Sequence, residues 1–484
     1  MGYAGCVLSR LASGIMRMNL ILACVSPLIL WATEKKQPNI VVMIADDCRF
    51  MDLGCYGSPD AITPNIDRLA REGMRFQSFF QATAMSSPTR QCLMTGLYPV
   101  RSGAYPNHAV ANAGTKSVVH YLSALGYHVA LQGKRHIAPK ETFPFDYLGA
   151  WKDVDVSLIE PFLARMSVRE EPFCLFVCSN DPHMPWTRGD QSLFQADKLT
   201  LPEFIVDTPE TRAGYVKYLA EINQLDSDVG KVDSLLHKYE LDENTLFIFT
   251  SEQGFTLPYA KWTCYGQGLQ TAFIVRWPGV VKSGIQSDAL CEYVDVVPTL
   301  IDIAGGKRIE KLDGESFLPV LLGDKVTHKK YVYGIQTSRG IVYGSEHYGV
   351  RTIYDGRYRY IRNLSQGEPF RCIQMQETDH IWLSWCKLAE RDSFARKQVM
   401  RYVYRPIEEL YDTEQDPFEM YNIADEEKYA EVKLRLSEQL DLWMHEQGDL
   451  GLQTEMDALN HMVPASTQKF ESTKNKIVLP CVDL

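Results

Sequence analysis

Asn39-Ile40-Val41-Val42-Met43-Ile44-Ala45 is an unbroken apolar run that stops abruptly on Asp46-Asp47. Its length and β-branched content suit a strand covered on both faces, as strands of a parallel sheet are; a strand with one wet face would alternate. Four more runs of this kind, Tyr127 to Gln132, Phe173 to Cys178, Thr245 to Thr250 and Thr271 to Trp277, are expected to be further buried parallel strands. Helical patterns lie between them. Thr63, Pro64 and Gly73 bracket one helix as N-cap, first-turn proline and C-terminal glycine, with Ile66, Leu69 and Ala70 on its apolar face. Ile222, Leu225, Val229, Val232 and Leu236 recur at helical spacing and mark another. Strands alternating with helices predict an α/β fold, with a large mainly parallel sheet between helices and ligands at the carboxyl ends of the strands. The residues directly after four of the runs are Asp46-Asp47, Gly133-Lys134-Arg135-His136, Asn180-Asp181-Pro182-His183 and Ser251-Glu252-Gln253-Gly254. Each segment is polar or charged, and together they are expected to line one edge of the sheet.

At 484 residues and 45% hydrophobic content the chain can bury a large core, enough for a main domain and a smaller companion. After about Gly344 the pattern changes to short alternating segments such as Tyr358-Arg359-Tyr360-Ile361-Arg362. A loop rich in Trp, Cys and charge comes next, then a helix from about Glu427 to Trp443. We read 33–344 as the catalytic domain and 345–484 as an α+β subdomain. Before them, Arg10 and Arg17 precede an apolar run from Leu20 to Trp31 and a polar stretch from Thr33 to Gln37, the architecture of a signal peptide over 1–32. That run is short for a membrane span, so the expectation is a secreted or periplasmic protein with no membrane span. Cys24 offers lipidation as an alternative, which the apolar residues beyond it disfavour. The net charge of −11 argues against nucleic acid as a partner and confines any cations that meet an anion to a pocket. The 12 cysteines include no C-x-x-C metal pairs, so neither zinc nor a cysteine nucleophile is expected, and Cys174 and Cys178 read as buried thiols on one strand.

Adjacent carboxylates at the end of a buried strand repel unless something neutralises them, so Asp46 and Asp47 read either as an exposed turn or as a site for a hard cation, calcium first. A second motif is Ser86-Ser87-Pro88-Thr89-Arg90, continued by Met94-Thr95-Gly96. Pro88 suits the first turn of a helix, which would put Ser86 at a helix N-terminus where backbone N–H groups favour an anion. The stretch resembles the sulfatase signature, Cys/Ser-x-Pro-Ser/Thr-Arg followed by Leu-Thr-Gly, with Met94 in place of leucine. That resemblance implies an alkaline-phosphatase-like α/β sandwich and oxidation of Ser86 to formylglycine by a maturase that accepts serine. It also implies Ca2+ held by Asp46, Asp47, the modified Ser86 and the pair Glu252-Gln253, each side chain one methylene longer than the usual Asp-Asn. By the same resemblance Arg90 orients the aldehyde and Lys134 binds sulfate, while His136 contacts the formylglycine. His183 protonates the leaving group, a task suited to a side chain that titrates near neutral pH, and Lys261 is a second sulfate-binding cation. Arg135 is read as structural.

The similarity runs from Asn39 to about Ala424 and is greatest to the heparan N-sulfatase, or sulfamidase, branch. It is carried by Lys134 to Tyr147, by Val350-Arg351-Thr352 with Tyr358 to Asn363, and by Glu409-Leu410-Tyr411-Asp412 with Asp416-Pro417. It implies a sulfated saccharide substrate, foremost the N-sulfate of glucosamine in heparan sulfate or heparin. His108, Arg351, Arg371 and His380 are further candidates for substrate contact. Lys261 departs from that branch, which carries an arginine there. Three other readings stay open: an O-sulfatase on another glycosaminoglycan or sulfated polysaccharide, a phosphodiesterase or phosphonate hydrolase of the same superfamily, and a non-catalytic glycan-binding homologue with Ser86 unmodified.

Overall fold

The first apolar run folds as strand β1 (Asn39–Ala45), buried along its whole length. It belongs to a computed structural model that describes residues 36–150, 152–464 and 477–480; the expected leader at 1–32, with Cys24, lies outside the described residues. In chain order the other strands are β2 (Met74–Phe76), β3 (Phe79–Phe80), β4 (His128–Gly133), β5 (Asp146–Gly149), β6 (Phe173–Cys178), β7 (Thr245–Ser251), β8 (Phe273–Arg276), β9 (Ile285–Ser287), β10 (Cys291–Glu292), β11 (Val332–Thr337), β12 (Gly349–Tyr354), β13 (Tyr358–Asn363) and β14 (Glu408–Asp412). Eight of them form one sheet in the order β5-β4-β6-β1-β7-β8-β2-β9.

The centre of that sheet, β4-β6-β1-β7, is parallel throughout, and its strands are four of the expected runs. Alternate side chains of β1 explain the unbroken apolar pattern. Val41, Met43 and Ala45 enter a core shared with the helices Pro64–Glu72 and Pro209–Lys238. Ile40, Val42 and Ile44 enter another, shared with Ser86–Thr95 and Val296–Ile303. Burying one such aliphatic side chain is worth roughly 1.5–3 kcal/mol, so both faces of β1 anchor the fold. The two anticipated helices form with the expected buried residues, although the Thr63 hydroxyl accepts from the Gly54 N–H (2.9 Å) and donates to Asp67 (3.0 Å) instead of capping its helix.

One strand corrects the sequence reading. β8 is buried as expected but pairs antiparallel with β7, from Phe247 opposite Arg276 to Thr250 opposite Phe273. An apolar run reports burial on two faces and says nothing about direction; here the chain between Glu252 and Ala272 doubles back on one edge, with no crossover to restore a parallel course. The α+β expectation for the C-terminal part is met by an antiparallel sheet β11-β12-β13-β14. Its first strand, Val332–Thr337, lies upstream of residue 344. The helix Ala430–Gln447 packs on β12 and β13, close to its expected position. Cys174 and Cys178 are buried free thiols, and among the described residues no helix is long and apolar enough to cross a membrane.

Gly133 ends β4 at φ +92°, and a Cβ there would stand 2.1 Å from the Cys178 carbonyl oxygen. Gly133→Ala therefore combines a strained dihedral with a backbone collision, and we expect roughly 2–3 kcal/mol of lost stability in urea unfolding. A loss below about 0.5 kcal/mol, the scale of a neutral surface change, would contradict this reading of the turn.

Candidate active site

Hydrogen bonding between the central strands continues past their ends and sets the four polar segments beyond them at one height. Asp46 N–H donates to the Asp181 carbonyl (3.1 Å), Glu252 N–H to Ala45 (3.0 Å) and Lys134 N–H to Cys178 (2.9 Å). The segments therefore meet at one edge. Ser86 is the first residue of the helix Ser86–Thr95, as Pro88 suggested, and that helix closes on Gly96 at φ +69°. The Ser86 hydroxyl donates to Asp46 Oδ1 (3.1 Å) and accepts from Gln253 Nε2 (2.9 Å), which also donates to Asp47 Oδ1 (2.8 Å). Lys261 Nζ (2.7 Å) and the Thr256 hydroxyl (3.0 Å) both donate to Asp47 Oδ2. The Lys134 ammonium sits on Asp46, and the Arg90 guanidinium sits on Glu252 while donating to the Lys134 carbonyl (2.9 Å). His183 donates from Nδ1 to the Met184 carbonyl (2.5 Å), leaving Nε2 3.7 Å from Asp47 Oδ2. His136 and His108 share a hydrogen bond, Nε2 to Nδ1, of 2.8 Å. Asp47, His108 and His136 all take positive φ, of 59°, 56° and 48°. Such strain survives only where several partners impose it, and Asp47 has four.

Residues 38–306 match the sulfatase family, and residues 253–381 match the C-terminal region of N-sulphoglucosamine sulphohydrolase. The chain belongs to the sulfatase family. It is 35% identical to an ulvan-active sulfatase of Formosa agariphila over 452 residues, covering 90% of this chain and 85% of that one. It is 26% identical to human N-sulphoglucosamine sulphohydrolase, over 88% of this chain and 93% of the human protein. Among solved structures, a protein in complex with its substrate D-glucosamine-2-N,6-O-disulfate matches with a TM-score of 0.64 at 22% identity, covering 86% of this chain and 99% of that chain. The alkaline-phosphatase-like fold and the hydrolysis of sulfate groups follow for this sulfatase.

Burial and charge set the protonation states of the sulfatase cluster. Burial would raise the Asp46 carboxyl, but Lys134, then His183, Arg90 and Lys261, overcome it and hold Asp46 well below the usual carboxylate range. Glu252 goes the other way, pushed up to about 7 by burial against the pull of Arg90. Burial, with Lys134 and His108 beside it, holds His136 well below the usual histidine value, so its ring is neutral at neutral pH. His183 is lowered by burial and by Lys261, against the opposing pull of Asp47.

The donor set suits a hard divalent cation. Glu252 Oε2 and Gln253 Oε1 are buried oxygens with no hydrogen-bond partner, and oxygen donors alone are what calcium takes. Among the described residues no three His, Cys, Asp or Glu side chains converge on one metal-sized point, and Lys134 and Lys261 sit on the aspartate oxygens. An ammonium there performs the neutralisation that an ion would otherwise share.

The structure thus gathers Asp46, Asp47, Ser86, Arg90, Lys134, His136, His183, Glu252, Gln253 and Lys261 from six separate stretches, and His108 joins them through His136. Thr256 is a member that sequence reasoning missed, since nothing in its spacing after Gly254 marks it. Arg135 is exposed with its guanidinium 4.3 Å over the Tyr147 ring. Arg371 is half-buried and His380 is exposed at the start of the helix His380–Ala389; among the described residues neither is hydrogen-bonded or ion-paired to the cluster. Arg351, expected to touch substrate, is fully buried and held by both oxygens of Asp449, Nη2 to Oδ1 at 2.9 Å. It is a core ion pair with no face for a ligand. Arg351→Ala would strand the Asp449 charge and should cost about 3–5 kcal/mol in stability, with kcat of the surviving folded enzyme unchanged at low temperature. A fall in kcat without a fall in Tm would restore Arg351 to the site.

Proposed function

We propose that this sulfatase is calcium-dependent and acts through a formylglycine made from Ser86, removing N-sulfate from glucosamine in heparan-type saccharides. The observation that carries the reading is the position of Ser86 Oγ at a helix N-terminus, between Asp46 and Gln253 and beside two buried lysines. Asp46, Asp47, Glu252 and Gln253 would hold the calcium, which when bound withdraws charge from the sulfate oxygens. Oxidised and hydrated, residue 86 would supply one hydroxyl to displace the sugar nitrogen from sulfur, its proton passing to Asp46, which already accepts the Ser86 hydroxyl, and a second hydroxyl whose loss of a proton would expel sulfate as the aldehyde re-forms. Lys134 and Lys261 are the cations that meet the sulfate oxygens, each able to exchange an aspartate for the incoming anion. His183 gives its Nε2 proton to the departing amine, and an anion bound beside it favours the protonated ring. Arg90 fixes Glu252 and the Lys134 backbone. His136, neutral and tied to His108, is placed to accept a proton when sulfate leaves. Export through the leader at 1–32 and a serine-accepting maturase belong to the same proposal.

The match of residues 253–381 and the likeness to the human N-sulphoglucosamine enzyme support the N-sulfate substrate. The greater identity to the ulvan-active relative favours a second reading, an O-sulfate ester of an algal-type polysaccharide. The cluster serves both, because attack is at sulfur and only the leaving atom differs.

The discriminating experiment is sulfate release from N-sulfoglucosamine, 6-O-sulfated N-acetylglucosamine and an ulvan oligosaccharide. The enzyme would carry Ser86→Cys and be co-expressed with a formylglycine-generating enzyme. Release from the first alone is expected; release from ulvan alone would install the second reading, and silence on all three with the aldehyde present would contradict both. Ser86→Ala should abolish turnover on whichever substrate works. Lys134→Ala should lower kcat/KM by about 10²–10³-fold, the scale of one lost oxyanion contact, and should also lower Tm, because it strands the buried Asp46 carboxylate. Chelation of calcium should reversibly remove activity, and full activity in excess chelator would exclude a role for the metal.

A further inference from the structure

Away from the catalytic cluster, a concave region lies beside the helix Ala430–Gln447. Two hollows of about 820 and 660 Å³ share Arg101 and Gln447 in their linings and so make one trough. Toward one end the rings of Tyr333 and Trp443 stack 4.9 Å apart with planes 1° from parallel, and Tyr98 meets both edge-on. Trp443 is 4% exposed, yet its indole N–H has no hydrogen-bond partner; Gln447, 8% exposed and one helical turn further on, has none for its amide oxygen. Leaving a buried donor or acceptor unmet is unfavourable, and the penalty is relieved when a ligand brings the complementary group. Lys330 is exposed in the lining with Nζ 5.1 Å from the Tyr331 ring, whereas Arg101 is already paired with Asp313 (2.7 Å). Toward the other end His461 lies against Tyr105, ring centroids 4.9 Å apart. The His461 carbonyl accepts from Val110 N–H (2.8 Å) and Val463 N–H donates to the His108 carbonyl (3.1 Å). The trough wall is thus bonded to the segment whose His108 side chain reaches His136.

We propose that this trough is a non-catalytic binding site for a further stretch of the glycan chain. Tyr333, half-buried in the lining, offers its ring to the apolar face of a sugar, Lys330 meets one uronate or sulfate, and the buried Trp443 N–H and Gln447 oxygen gain hydroxyl partners as these side chains shift to admit the ligand. One unmet donor, one unmet acceptor and one exposed lysine, beside the exposed carboxylates of Glu315 and Glu446, suit a sparsely charged stretch of oligosaccharide better than a peptide, which would need a row of backbone partners. The inference rests on the reading of the substrate as a sulfated glycan, but its test does not depend on catalysis.

Full-length protein carrying Ser86→Ala, which binds without turning over, would be titrated by calorimetry with a heparin decasaccharide, an ulvan decasaccharide and N-sulfoglucosamine. Tight binding of at least one decasaccharide is expected. Trp443→Phe, which keeps the ring and removes the N–H, and Lys330→Ala, which leaves the core alone, should each weaken it about tenfold, with monosaccharide binding unchanged. Lys330→Ala alone decides the matter if Trp443→Phe lowers Tm. Absence of decasaccharide binding, equal binding by parent and variants, or a parallel loss of monosaccharide binding would each overturn the proposal. A failure here with sulfate release intact would spare the catalytic reading, and the converse would spare the trough.

Discussion

Asp46 and Asp47 end β1 fully buried and side by side, and adjacent carboxylates are tolerated in an interior only where cations and donors neutralise them. Most features of the site answer to that demand. Lys134 arrives from the end of β4, His183 from beyond β6, Gln253 from the end of β7 and Lys261 from the loop after it, while Ser86 comes in on a helix. The parallel order β4-β6-β1-β7 makes this possible, since only strands running the same way deliver their C-terminal residues to one edge. In the function proposed above, the cations that hold two acids in the resting protein are also the ones that meet the sulfo group.

The central sheet was legible because its strands are buried on both faces. Asn39–Ala45 and Phe173–Cys178 fall where the apolar runs place them, and the segments beyond them are where the chemistry collects. The features that stayed hidden did so for physical causes. The direction of β8 depends on how the chain returns from β7, and apolar content does not encode it. The short strands β2, β5 and β9 bury too few residues to leave a period. Arg351 sits in a segment resembling the heparan N-sulfatase branch, yet its partner is Asp449, far along the chain and named by no local pattern. Thr256 escaped for the same reason, as its partner Asp47 lies far back along the chain.

The trough beside Trp443 extends the logic from a single sulfate to a chain. A buried cluster reads one sulfate and its leaving atom, and that is too little to separate an N-sulfate from an O-sulfate on a different sugar. Selectivity for a polymer then falls to surfaces beyond the cluster. The unmet polar atoms of Trp443 and Gln447 mark such a surface, distinct in lining from the catalytic residues.

The central claim is that Ser86, held between Asp46 and Gln253, is the reacting residue and reacts as an aldehyde. Mass spectrometry of the peptide containing residue 86, taken from active protein matured by its native host, tests this most directly. The predicted result is a peptide lighter by two hydrogens that couples to a hydrazide. Unmodified serine at this position in protein that still releases sulfate would contradict it.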